Sequence, residues 1–386
     1  MATMTRLADD PTVVQRLLDH IDNRTTDLGT SSWREPVEHY RSEPRFAAER
    51  ERVLRRYPIP FCPAAALPDA GSYVARDAAG TPILAVRGTD GAVRAFRNAC
   101  RHRGTQLADG AGCSQAFVCR YHGWTYALDG RLRHVPDAHG FPALDKGARG
   151  LVPVATAEAQ GIVFVRQDDP PVAGAALDEL PPLIGAAYRL RSTTARDVAA
   201  NWKIVVESFL EGYHIRSTHT QTFYPLQFDN LNVVETFGRN HRIAFPFRAI
   251  NKLRAVPPAE RSADGTLTYV YHLFPNAMVA TFPGRIFLVV LEPLAVDRTR
   301  FVTYEMSNRD PDDDEARATL ARAGALVDAG AAEDRAMLEA GQRGLASGAN
   351  DCFEFGLFES AIGDFHRTLQ EALAGVPDAA ARARRA

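Results

Sequence analysis

Cys100-Arg101-His102-Arg103-Gly104, followed after the spacer 105–118 by Cys119-Arg120-Tyr121-His122-Gly123, decides how the whole chain is read. Each half holds one cysteine and one histidine, C-x-H and then C-x-x-H, at a strand end where a turn begins. Two such loops can close on one centre. Two thiolates and two neutral imidazoles are the donors that hold a [2Fe–2S] cluster in which histidine replaces cysteine on one iron, which raises its reduction potential. The predicted division is Cys100 and Cys119 on one iron, His102 and His122 on the other. Zinc also takes two cysteines and two histidines, and it stands as the alternative. Zinc fingers, however, usually pair Cys with Cys and His with His, whereas each half here mixes them. Gly104 and Gly123 let the backbone approach the sulfurs. Cys113, in the glycine-rich spacer, is not expected to bind metal.

Outward from these loops, residues 61–168 alternate in short segments. Ser72–Arg76, Pro82–Arg87, Ala92–Asn98, Ala116–Arg120, Thr125–Ala127 and Gly161–Arg166 read as strands. Thr89-Asp90-Gly91 and Asp129-Gly130 are hairpin signals. This is a small all-β domain. Asp168–Pro171 is a polar, proline-bearing boundary. Beyond it come a helical stretch from Trp202 to His219 and strands near Leu231–Phe247, Thr266–Leu273, Ala277–Phe282, Ile286–Leu291 and Thr299–Asn308. Helices follow over Pro311–Leu345 and Asp351–Ala374, and a frayed Arg/Ala tail lies after Gly375. Sheet first and helices last reads as α+β. Three parts are expected: 1–55, a helical segment packing on the catalytic domain; 56–168, the cluster domain; and 169–386, the catalytic domain.

A second constellation lies on the Trp202–His219 stretch. Glu207, Glu211 and His214 are spaced by four and three, which on a continuous helix places them on one face. Val206, Leu210 and Tyr213 would form an apolar stripe beside them. His214 and His219 are five apart, so a bend or helix end must bring them together. Two histidines and one carboxylate, with positions left open, form the facial triad of Fe(II) oxygenases. The carboxylate must come from elsewhere. A ligating histidine normally donates its other N–H to a carboxylate or carbonyl, and Glu211 and Glu207 are placed to accept it.

The stretches "NACRHRG" and "CRYHGWTYALDG" resemble the cluster loops of Rieske non-haem iron oxygenases, and "NWKIVVESFLEGYHIRSTH" resembles that family's catalytic helix. The resemblance implies a terminal oxygenase (alpha) subunit: an all-β Rieske domain followed by a helix-grip-like antiparallel sheet with helices. It implies that His214 and His219 bind iron, and that Glu211 links the cluster of one subunit to the iron of its neighbour. "EDRAMLEAGQRGL" looks like the segment carrying the third ligand. Asp334 is chosen, with Glu333 and Glu339 as alternatives. Ser208 stands where many members have Asn. A homotrimer, or a multiple of one, is implied.

The chain has no dinucleotide-binding turn, flavin signature or second cysteine cluster. Electrons are therefore expected from a separate NAD(P)H-linked reductase, with or without a ferredoxin, to be spent on O2 and a small organic substrate. Hydroxylation, dihydroxylation and oxidative demethylation remain open. An electron-transfer protein without oxygenase activity is the alternative. A net charge of −2 gives no reason to expect nucleic acid or a membrane surface. The longest apolar run, Ile286–Leu291, is too short to span a bilayer. The amphipathic start, with Val13, Val14, Leu17 and Leu18, is no signal peptide. Five cysteines without a secretion signal suggest the cytoplasm. Phe223, Tyr224, Phe228, Phe245, Phe247, Tyr271, Phe274, Phe282 and Phe287 are read first as strand core, with the lining of a substrate pocket as the alternative. Arg248 and Arg285 are read as exposed, with a grip on an acidic substrate as the alternative. His241 and His272 are read as structural.

Overall fold

Apolar residues alternating through residues 59–166 build a seven-stranded antiparallel sheet. Its order is Ile59–Pro63, Ile162–Arg166, Pro153–Ala159, Val93–Arg97, Thr81–Arg87, Ser72–Ala78, Gly110–Cys113. The structure, a computed structural model, describes residues 7–167, 177, 180–310 and 314–375. The Thr81–Arg87 strand shows why the sheet is buried on both faces. Ile83 and Ala85 join a core shared with the catalytic sheet, while Leu84 and Val86 pack under the cluster loops with Cys100, Cys119 and Trp124. Both hairpin signals form turns, with Gly91 and Gly130 at φ 79° and 84°. At Gly130 a Cβ would sit 2.5 Å from the Phe96 ring, so only glycine fits. Two strands carry no sequence signal. Gly110–Cys113 is exposed throughout, and Pro153–Ala159 buries only Val154.

The second sheet also has seven antiparallel strands, in the order Arg189–Val198, Arg298–Ser307, Arg285–Ala295, Ala277–Phe282, Leu267–Leu273, Asn240–Pro246, Val233–Phe237. The single strand expected over Leu231–Phe247 is a hairpin turning at Gly238, φ 60°. Arg189–Val198 escapes sequence reading because it is polar along its length. The long helix Asp314–Gly344 crosses the sheet's open face, and the helix Ser360–Leu373 covers the rest. A strand, Cys352–Phe355, separates them and pairs with Trp33–Pro36. The expected boundary at Asp168–Pro171, the helix start at Pro311 and the tail after Gly375 lie outside the described residues, wholly or in part. Among the described residues, no helix is long and apolar enough to cross a membrane.

The N-terminal helix Asp10–Asn23 buries Val13, Val14, Leu17 and Leu18 against the second sheet. Asp10 accepts hydrogen bonds from the Tyr269 hydroxyl and the Ala263 amide, both at 2.9 Å. Further on, Glu35 is fully buried and accepts from Trp33 Nε1 at 2.9 Å, with His39 Nδ1 at 2.6 Å and His366 Nδ1 at 3.4 Å. His366 Nε2 lies 2.8 Å from Glu207, which also accepts from the Tyr40 hydroxyl at 2.7 Å. Burial alone would raise the Glu35 carboxyl, but His366, His39 and Trp33 bring it down to about 2. Burial alone would lower His366, yet Glu207 and Glu35 hold it above its ordinary value.

The pH dependence follows from the signs. A carboxyl held low contributes stability above its ordinary value of 4.5 and loses it as pH falls toward 2. A histidine held high contributes fully below 6.5 and loses that contribution as pH rises through its raised value. The Tm gap between wild type and His366→Gln is therefore expected to be widest between 4.5 and 6.5 and to narrow at higher pH. Melts in a pH series check this, and a gap that stays constant into the alkaline range would refute it.

Candidate active site

The two cluster loops repeat one backbone design. Cys100 N donates to Thr105 O and Cys119 N to Trp124 O, each at 2.8 Å; Gly104 N returns to Cys100 O and Gly123 N to Cys119 O, each at 2.9 Å. Each glycine closes its loop at positive φ, 78° and 72°. The cysteines are buried, and the His102 and His122 rings lie 4.6 Å apart. His102 stacks flat on Trp124, 4.9 Å between centroids and 7° between planes. Its Nδ1 is buried without a hydrogen-bond partner, as a ring nitrogen would be if it served as a metal donor. Tyr126 steadies the first loop: its hydroxyl accepts from Arg101 N at 2.8 Å and lies 3.3 Å from Cys100 Sγ. The donor set and the orphaned nitrogen both fit a [2Fe–2S] cluster. Cys113 lies apart, exposed on the Gly110–Cys113 strand.

Asn201-Trp202-Lys203 starts the catalytic segment by capping and anchoring it. The Asn201 side chain accepts from Lys203 N at 3.0 Å and donates to Tyr40 O and Val296 O at 3.1 and 2.7 Å. Trp202 Nε1 and Lys203 Nζ both reach Glu49 Oε2 at 2.9 Å, in full burial. The helix is short, Trp202–Ser208, and a loop leads into a second turn, Ile215–Thr218. Helical spacing therefore does not extend to 211 and 214. Glu207 stays on the helix and turns to His366 and Tyr40, away from the histidine pair. Tyr213 is 58% exposed and packs on Phe358, so it is no part of an inward stripe.

The break in the helix brings His214 and His219 together, their ring centroids 5.2 Å apart, and Asp334 of the long helix completes the group. Asp334 Oδ1 is 2.9 Å from His219 Nε2 and 3.7 Å from His214 Nε2, and one donor atom from each residue lies within 4.8 Å of the others. The opposite ring nitrogens are held by acids. Glu211 binds His214 Nδ1 in a short contact, and Glu333 Oε2 is 2.8 Å from His219 Nδ1 while accepting from Thr222 Oγ1 at 2.6 Å. Both imidazoles are held above their ordinary value. Burial opposes this, but Glu211 and then Asp334 raise His214, while Asp334 and then Glu333 raise His219. Glu339 is elsewhere, near the Ala199 amide. Two imidazoles and a carboxylate, with the outer nitrogens already engaged, suit a divalent iron with open positions.

These groups open on a cavity of 330 Å³ between the long helix and the second sheet. Phe223, Phe245, Phe282 and Phe287, read from the sequence first as core, line it, joined by Phe209 and Phe301, which the sequence pattern does not single out. Tyr224, Phe228, Phe247, Tyr271 and Phe274 are not among its lining residues. Phe223 packs edge-on against His219 at 4.7 Å. Arg285 is not exposed: it is 6% accessible and pairs with Glu305 at 2.6 Å. Arg248 lies over the Tyr224 and Phe228 rings, outside the cavity. His241 and His272 are buried against each other, Nδ1 to Nδ1 at 3.3 Å.

Residues 58–153 match the Rieske [2Fe-2S] domain, and residues 186–375 match the catalytic domain of the ring hydroxylating alpha subunit. The carnitine monooxygenase oxygenase subunit of Escherichia coli strain K12 is 29% identical over 371 residues, which cover 88% of this chain and 94% of that one. The glycine betaine monooxygenase oxygenase subunit of Chromohalobacter salexigens is 36% identical over 187 residues, covering 47% and 42%. A crystal structure of a quaternary ammonium Rieske monooxygenase superposes with a TM-score of 0.76 at 21% identity, covering 96% of this chain and 99% of that one.

An iron–sulfur domain joined to a ring-hydroxylating catalytic domain defines a two-centre oxygenase component. The chain belongs to the Rieske non-haem iron oxygenases, as their terminal oxygenase (alpha) subunit. Its cofactors are a Rieske [2Fe–2S] cluster and a non-haem iron, so zinc is set aside; NAD(P)H serves it indirectly, through a separate reductase, and its substrate is a small molecule. The oxygenase reading is supported over the pure electron carrier.

Gly330, one turn before Asp334, gives the geometry a local test. A Cβ there would lie 2.4 Å from the Phe223 ring, which packs on His219. Gly330→Ala gains about 1 kcal/mol of helix propensity but overpacks this contact at roughly 1–3 kcal/mol. Net destabilisation in a denaturant melt is expected, and a gain in stability would show that the ring yields freely.

Proposed function

We propose that Cys100, Cys119, His102 and His122 hold the cluster, that His214, His219 and Asp334 hold the iron, and that Glu211 links a neighbouring subunit's cluster histidine to His214. When bound, the cluster supplies electrons one at a time and the iron offers open positions where O2 meets substrate. The reaction is a monooxygenation: a C–H bond, O2, two electrons and two protons give an alcohol and water. Where the carbon attacked is an N-methyl group, the hydroxymethyl product breaks its C–N bond to release formaldehyde and the demethylated amine. The observation that carries this reading is the convergence of three donor atoms within 4.8 Å beside a phenylalanine-lined cavity. The near full-length likeness to a monooxygenase subunit favours one oxygen inserted over two.

The chain's residues have separable tasks. Glu211 and Glu333 hold the histidines by their Nδ1 atoms, which leaves Nε2 for metal. The phenyl walls keep water from the reacting carbon. Tyr213 and Leu357 are exposed on the Glu211 side, and Tyr121, Val118 and Phe141 are exposed on the cluster tip. These two patches suit a head-to-tail contact, and we propose a homotrimer or a multiple of one. Inter-subunit electron transfer is described for one solved relative, a quaternary ammonium Rieske monooxygenase. A reductase, with or without a ferredoxin, supplies the electrons, and the setting is the cytoplasm.

Asp334→Ala is expected to lose mononuclear iron, measured by metal analysis, while the reduced cluster keeps its EPR signal. Full retention of that iron would move the ligand to Glu333. Glu211→Ala is expected to keep both metals and to lose roughly 10- to 100-fold in reductase-coupled turnover, the range found when supporting partners of metal ligands are removed. Normal rates in that variant, or full activity in a monomer by sedimentation, would sink the inter-subunit route.

A further inference from the structure

Several of the polar groups lining the cavity are engaged with the protein itself. Glu305 is occupied on both oxygens, by Arg285 Nη2 at 2.6 Å and by Ser192 Oγ at 3.1 Å. Ser208 Oγ donates to Val205 O at 2.9 Å. The Thr268 hydroxyl is buried in the wall without a hydrogen-bond partner, and the Thr194 and Thr303 hydroxyls line the cavity with none among the described residues. Arg196 and Asp328 are exposed at the mouth, and Arg335 is partly exposed. Gln227 differs in reach, since it carries the longest uncharged polar side chain of the lining. It is 9% exposed and lines the cavity, and its main chain is fixed by a bond to Phe223 O at 2.8 Å and a bridge to Phe247. Its carboxamide has no hydrogen bond among the described residues, and none of its polar atoms is sealed from the open space.

Gln227 hangs from the turn that carries His219. Tyr224 N donates to His219 O at 3.0 Å, and Phe223, whose carbonyl holds Gln227 N, lies against the His219 ring. An unengaged amide in an apolar chamber is unfavourable unless something fills it. An uncharged hydrogen-bonding group meets both needs: the amide N–H groups donate to a carbonyl oxygen, and the amide oxygen accepts from a hydroxyl. Phenyl faces attract an alkylammonium cation, but such a cation carries neither the carbonyl acceptor nor the hydroxyl donor that the carboxamide needs, and would leave the amide unengaged.

We infer that Gln227 determines specificity, and that the substrate is a largely apolar molecule with one neutral carbonyl or hydroxyl group presented to its amide. The inference rests on reading this cavity as the substrate chamber of the oxygenase. The anchor and the metal ligand share one turn, so the polar group's position fixes which carbon faces the iron site.

Acetophenone and α-methylstyrene, which differ by C=O against C=CH2, test it by anaerobic calorimetry on the metal-loaded protein. Acetophenone is expected to bind about tenfold more tightly, the worth of one buried hydrogen bond. Gln227→Met is expected to remove that preference. Gln227→Glu, of equal size and still polar but without the amide donor, is expected to remove it as well, and it carries the test if the first variant loads its metals poorly. The inference is overturned if the wild type binds neither probe, if it shows no preference, if the preference survives in both variants, or if L-carnitine binds more tightly than acetophenone. Selective ketone binding without substrate-dependent O2 uptake in the presence of reductase would instead count against the oxygenase assignment alone.

Discussion

One buried contact sets the frame of the catalytic site: Lys203 Nζ on Glu49 Oε2 at 2.9 Å, both side chains wholly inaccessible to water. Burial pushes the lysine's pKa down, and Glu49 opposes that shift. Glu49 also accepts from Trp202 Nε1 and, through its other oxygen, from Arg45 Nε at 3.0 Å. An ion pair in such a place adds little net stability over apolar packing, but removing one partner alone costs about 3–5 kcal/mol. It therefore acts chiefly as a fixture. Glu49 belongs to the N-terminal segment and Lys203 to the helix that leads into the histidine loop, so the pair locks one onto the other. Asn201 completes the lock by capping the helix while holding Tyr40 O and Val296 O.

With the helix start fixed, its early end becomes useful. A continuous helix would carry His214 and His219 to different faces. Ending at Ser208 lets Glu211 turn back on the amide and ring of His214. The turn after His219 then folds Phe223 and Thr222 beside it. The long helix supplies the rest. Neighbouring residues on a helix point roughly 100° apart, yet Asp334 and Glu333 both reach His219, one at Nε2 and the other at Nδ1. Adjacent acids are thus placed for the two roles a metal-binding imidazole would need filled, co-ligand and orienting partner.

Local chemistry was the readable part of this chain. Cys100, His102, Cys119 and His122 could be picked out because each loop is a short hydrogen-bonded unit, closed by its own glycine. Glu211 and His214 were also legible, but the helical periodicity offered for them does not exist there; their contact is made by a loop. Glu207 shows the same limit, since its spacing is right and its partners, Tyr40 and His366, lie far away in sequence. Asp334 could not be separated from Glu333 by composition, because the choice depends on how a distant helix is rotated. Gln227 gave no signal at all. A glutamine in a turn is ordinary until the fold strips it of water and partners.

The strand Arg189–Val198 shapes the approach to the cavity. Its sequence has no apolar face, because neither face is buried: of its ten residues only Val198 is buried. Among the described residues it is an edge strand, paired with Arg298–Ser307, and a polar edge resists pairing with other chains. Ser192, Thr194 and Arg196 point from it into the mouth of the cavity, while Val198 and its neighbour Phe301 continue the apolar wall inward. Polarity thus falls along a single strand, from a wet rim to a dry interior. A substrate entering there would shed water stepwise before reaching the histidines, and the amide of Gln227 is among the hydrogen-bonding groups it would meet inside.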